Sequence, residues 1–169
     1  MMKPNYPIDS EDTELSPHFT LGEVFGSHQA ELAAICNFPM YRRDYDLVIG
    51  RARELANAVL EPARAHFTKP LIIHCWYRSP ALNEFVGGVP ADPAAHKRGS
   101  QHLYGEAVDF HVKDALLLVS FYWLLRDSGL PFDQLIYEGT WIHVSHRADA
   151  ENRREGLTRK ESGGYSSTS

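Results

Sequence analysis

An α+β fold is predicted: a small, mainly antiparallel sheet with chemically active side chains on one face and helices packed on the other. Three patterns predict it. Val48, Ala52, Leu55, Val59 and Ala63 recur at helical spacing on one face, which marks the main core helix. Residues 107–112 alternate, with Val108, Phe110 and Val112 apolar and Ala107, Asp109 and His111 opposite them. Two short runs, 134–137 and 141–145, flank Glu138-Gly139-Thr140 and read as a β-hairpin.

The remaining elements follow in chain order. Residues 1–15 hold Pro4, Pro7 and several acids without a period and are expected to form a loose or wrapping arm. Thr20 can cap a short helix at 21–25, with Glu23 at its third position. Pro62 lies inside the core-helix pattern and lacks a backbone donor, so a kink or break is expected near Glu61. Lys69-Pro70 ends that helix, and residues 71–76 read as a buried strand. Residues 77–101 carry Pro80, Gly87, Gly88, Pro90, Pro93 and Gly99 and are expected to be mostly loop; loops this long in small domains usually serve function. Asp114 can cap an apolar helix to about Ser128, closed by Gly129 and Pro131. The chain divides into the arm, one domain over 16–157, and a flexible polar tail over 158–169.

Composition narrows the function classes. A chain of 169 residues suits one core, and 43% apolar with 23% charged residues is ordinary globular usage. The net charge of −5, without a clustered basic face, argues against nucleic acid as a partner. No apolar run approaches the roughly 20 residues needed to span a bilayer, so membrane insertion is not expected. The polar start lacks a signal-peptide core; synthesis is expected to end in the cytoplasm, with release by lysis if the source is a phage. Cys36 and Cys75 lack CxxC spacing and read as reduced, buried thiols. The chain is expected to be a monomer.

The chemistry concentrates in Ser100-Gln101-His102-Leu103-Tyr104-Gly105-Glu106-Ala107-Val108-Asp109. His102 and Asp109 are an odd number of positions apart, so a straight strand would aim them at opposite faces. They converge only if the chain turns between them, and Gly105 supplies that freedom. In Trp141-Ile142-His143-Val144-Ser145, Ile142 and Val144 form the apolar side and His143 faces the other way. Two imidazoles and a carboxylate match a catalytic zinc site, in which three protein ligands leave a place for water; one Zn2+ per chain is expected. Such a metal acidifies its water and polarises a scissile carbonyl. A base is then needed near that water without being a ligand, and Glu138, across the hairpin turn from His143, is the candidate. The other reading of Glu138 is a solvated turn residue. Arg78, after a strand and beside the long loop, belongs either to the site or to an ion pair with a loop acid such as Asp92. His111 shares the Asp109 face as a supporting group, a ligand or an ordinary hydrogen-bonded histidine. Trp141 and His146 are candidates for substrate contact, the alternative for His146 being a surface position. His74 and His96 carry no motif and read as structural.

Ser100, His102, Gly105, Ala107 and Asp109, followed by Trp-x-His at 141–143, resemble the zinc D-alanyl-D-alanine carboxypeptidase family, which includes D-Ala-D-Ala dipeptidases and phage endolysins. Tyr77-Arg78-Ser79-Pro80-Ala81-Leu82-Asn83, Val86-Gly87-Gly88 and Phe132-Asp133-Gln134-Leu135-Ile136 resemble its short single-domain members. The resemblance spans about residues 15–146 and implies the fold shared with hedgehog signalling domains. It implies His102, Asp109 and His143 as zinc ligands, Arg78 on a substrate carbonyl or carboxylate, and Ser100 as a positioning group. The expected substrate is a peptidoglycan stem peptide or another D-alanine peptide, cut at its end or internally. One departure concerns the base. Better-known members place an acid three residues before the last histidine, or a histidine two before it, where this chain has Thr140 and Trp141. Two rival functions remain: a zinc-stabilised binding module without turnover, and an amidohydrolase on other amides.

Overall fold

The computed structural model describes residues 4–168. Its centre is a six-stranded sheet in the order β3-β4-β6-β5-β7-β8, built from β3 (Leu71–Cys75), β4 (Ala107–Val112), β5 (Gln134–Tyr137), β6 (Ile142–Ser145), β7 (Glu155–Arg159) and β8 (Tyr165–Ser167). Every pairing is antiparallel except β5 with β7. A small ribbon of β1 (Glu14–Ser16) and β2 (Phe19–Thr20) precedes α1 (Leu21–Phe25) and α2 (His28–Leu32). The fold is the α+β arrangement expected.

The long helical pattern forms α3 (Arg42–Leu55), a π turn over Ala56–Leu60, and α4 (Glu61–Phe67). Pro62 cannot donate to the carbonyl four residues back, and its ring crowds that carbonyl. The widened turn absorbs the defect: the Glu61 amide reaches back to the Ala56 carbonyl, and the helical path continues instead of ending. Val48, Ala52, Leu55, Val59 and Ala63 are all buried, as their spacing predicts. They meet the apolar sheet face of Val108, Phe110, Val112, Ile142 and Val144, together with Phe121 and Leu125 of α6 (Leu118–Asp127). This leaves the opposite sheet face, with Asp109 and His143, for other use.

The connection after β3 contains a helix absent from the expectation, α5 (Pro80–Phe85). Ser79 caps it by accepting from the Leu82 amide, and Pro80 sits where no donor is needed. The N-terminal arm wraps: the Tyr6 hydroxyl donates to the Pro39 carbonyl at 2.6 Å, and Arg42 donates to the Pro7 carbonyl.

The flexible tail expected over 158–169 needs correction through residue 168. β7 completes a parallel ladder on β5, and β8 folds back on β7. The polarity of this segment reads as disorder in sequence. What orders it is distant: buried Asp133 accepts two hydrogen bonds from the Arg153 side chain, at 3.0 and 2.8 Å, and one from its amide. Burial alone would raise the Asp133 carboxyl; the Arg153 contacts hold it below its ordinary value. Arg153→Ala leaves a buried carboxylate short of partners and is expected to cost about 1–3 kcal/mol in chemical denaturation. A change within error would show that β7 is held by its ladder alone.

Candidate metal centre

Three chain segments deliver one side chain each to the exposed sheet face. Asp109 and His143 are directly opposite each other on β4 and β6. His102 comes from a 3-10 turn, Gln101–Tyr104, that ends at Gly105 in a left-handed conformation with φ of 74°. A Cβ at Gly105 would stand 2.8 Å from the Val48 carbonyl oxygen, so this close approach to α3 also requires glycine. The reversal at Gly105 overcomes the odd spacing between His102 and Asp109.

The ligand atoms converge. His143 Nδ1 is 2.8 Å from Asp109 Oδ1, His102 Nε2 is 3.3 Å from the same oxygen, and the two ring nitrogens are 3.2 Å apart. Ligands about 2.0–2.1 Å from one tetrahedral ion lie about 3.3 Å from each other, so the spacing fits a zinc ion. His102 Nδ1 donates to the Trp76 carbonyl at 2.7 Å, which fixes the tautomer and leaves Nε2 as the free donor pair. The Trp76 indole in turn donates to the Gly105 carbonyl, joining the end of β3 to the His102 turn.

Cys75 also lies here, and its sulfur forms a compact group with His102 and Asp109. Burial pushes its thiol up to about 11, and Arg78 Nε donates to the sulfur at 3.2 Å. A cysteine binds zinc as its thiolate, which this burial disfavours, so a His143 ring nitrogen is the better third donor. Arg78 pairs with the second Asp109 oxygen at 2.5 Å. The expected alternative, a pair with Asp92, is not formed; Asp92 bridges to Lys97 in the loop.

A groove of about 660 Å³ opens over this face, with Arg78, Asp109, Trp141, Thr140 and Val86 among its lining residues. Glu138 belongs to the same sheet face: its amide donates to the Trp141 carbonyl, and Ile136, two residues earlier, is opposite His143. Its carboxylate is nearly buried but turned toward the C-terminal strands. The Tyr165 hydroxyl donates to Oε1 at 2.9 Å, and Arg159 is 3.7 Å from Oε2.

Two expected substrate contacts lie elsewhere. His146 is buried and donates through Nδ1 to the Pro131 carbonyl, tying the end of β6 to the β5 approach. Ser100 stands at the start of the His102 turn, where its carbonyl accepts from the Leu103 amide, and does not line the groove. Cys36 is only half-buried, not the buried thiol expected. Sequence reading missed Cys75 and His74 as groove residues, because regular alternation turns them to opposite faces. A bulge between Ile73 and Cys75 lets both line it. Tyr165 and Arg159 were missed with the tail.

A sheet-borne cluster of two imidazoles and a carboxylate, facing an open groove, defines a metallohydrolase type of centre. The family model described as Peptidase M15 matches residues 47–145, more than half of the chain, and the protein belongs to that family of zinc D-Ala-D-Ala carboxypeptidase-like enzymes. The matched segment runs from α3 to the end of β6 and contains all three converging residues. No curated protein matches the chain.

Burial lowers the His102 pKa from 6.5, and although burial would raise the Asp109 carboxyl, the two imidazoles hold it well below 3.8. Below about pH 6.5 an unfolded chain takes up a proton that folded His102 refuses, so metal-free stability falls with pH from there. Asp109 adds its loss only below pH 3.8. Denaturation of the metal-stripped protein between pH 7.5 and 5 is expected to show this decline, with a smaller slope in His102→Gln. Equal slopes would contradict the assignment.

Proposed function

We propose that the protein is a zinc peptidase that cleaves D-alanine-containing bonds in bacterial cell-wall peptides. The observation that carries this reading is the convergence of His102 Nε2, Asp109 Oδ1 and His143 Nδ1 within 2.8–3.3 Å beneath an open groove. Bound there, zinc would supply an acidified water and a polarised carbonyl.

The chain's own groups account for the rest. Arg78 keeps Asp109 in place through Nη2 and lines the groove, where its remaining guanidinium N–H groups suit a peptide carbonyl or terminal carboxylate. Trp141 supplies an apolar wall against which a small side chain such as that of alanine packs. Glu138 is the proton acceptor. Its position diagonal to His143 allows a rotation away from Tyr165 toward the reacting water, and the proton it takes is then available to the leaving amine. The choice of D-alanine peptides rests on the motif at residues 100–109 and on family membership.

A second reading has one specific support, the Cys75 sulfur beside His102 and Asp109. Four protein ligands would close the coordination sphere and make a structural zinc module. The two readings separate in one experiment. Purified peptidoglycan and a D-Ala-D-Ala peptide are digested with wild-type protein and with Glu138→Gln, followed by mass spectrometry and zinc analysis. The peptidase reading expects cleavage by wild type and a loss of about 10²–10⁴-fold in the variant with zinc retained. A zinc-loaded wild type that cleaves no muropeptide supports the module. Unchanged cleavage by Glu138→Gln removes Glu138 from the base role.

A further inference from the structure

Beyond the His102, Asp109 and His143 cluster, a second set of imidazoles lines the same groove. His74 on β3 and His111 on β4 stand across neighbouring strands, with His111 Nδ1 and His74 Nε2 only 2.6 Å apart and ring centroids at 4.5 Å. His74 is exposed and His111 partly so, which leaves both accessible to solutes. His28, on the neighbouring α2, is the third imidazole lining this groove and its side chain is 80% exposed.

We propose that His74 and His111 form a second divalent-metal site, for zinc or copper, on the open face of the sheet. Three features carry the proposal. Ile72 is opposite His111, so the alternation of β3 puts His74, two residues on, on the same sheet face and brings two imidazoles together across neighbouring strands. The facing atoms are ring nitrogens, the donor type that suits zinc and copper; at 2.6 Å they share a hydrogen bond, and a small rotation of the exposed His74 ring opens them to the wider spacing of two ligands on one ion. The pair is separate from that cluster: His111 is two residues along β4 from Asp109, a rise of about 7 Å, so one ion cannot serve both. Only two strand-borne ligands are fixed, so water would fill the remaining positions and the site would bind more weakly than the first. Copper should bind it more tightly than zinc, following the usual order for nitrogen donors.

The proposal is independent of the peptidase reading and is tested by metal binding. Equilibrium dialysis against excess zinc is expected to give two equivalents per wild-type chain and one in His74→Ala and His111→Ala. Long-range proton–nitrogen NMR of the wild-type imidazoles supplies a check that needs no variant. The second equivalent should shift His74 Nε2 and His111 Nδ1 after the His102 and His143 signals have already moved. One equivalent in wild type, a second equivalent that persists in both variants, or a second equivalent that shifts other imidazoles would overturn the site.

Discussion

A carboxylate removed from water must be met by positive charge or by donors, and the Asp109 side chain is the place where this fold meets that demand. Its two oxygens divide the task. One faces His102 and His143; the other is taken by Arg78. Arg78 in turn reaches the Cys75 sulfur, and His102 is anchored through Trp76. A single buried acid thereby gathers β3, β4, β6 and the 3-10 turn around one point.

The scaffold explains how the acid comes to be there. The α3 to α4 path and α6 cover the apolar sheet face, so the alternation of β4 and β6 must present Asp109 and His143 on the opposite side. Gly105 then lets the chain double back against Val48, which places His102 over the same spot. Behind this turn, buried Glu106 is held by Arg98 at 2.7 Å and by Arg51 at 3.2 Å, which ties the long loop and α3 to the start of β4. The loop is therefore fastened at the point where a shift would displace the cluster.

Much of this was legible in sequence because local patterns and core burial agree. The helical spacing from Val48 to Ala63, the alternation of 107–112 and the hairpin around Gly139 each predicted the side that is buried. The demand for a turn at Gly105 followed from the odd spacing of two residues. The misses share a cause as well: each depends on contacts distant in sequence. Tail residues 155–168 are polar enough to read as loose, yet Asp133 and the edge of β5 order them. Cys75 joins His74 in the groove through a bulge that no periodicity announces. His146 looked available beside the last strand, but the Pro131 carbonyl claims it.

The central claim is the identity of the third ligand, because His143 leaves an open coordination place whereas Cys75 would fill it. Zinc K-edge X-ray absorption of the protein loaded with one equivalent reads this directly. The expected spectrum has only nitrogen and oxygen neighbours at about 2.0–2.2 Å, with imidazole scattering from two rings. A sulfur shell at about 2.3 Å would put Cys75 on the metal and contradict the open, catalytic centre.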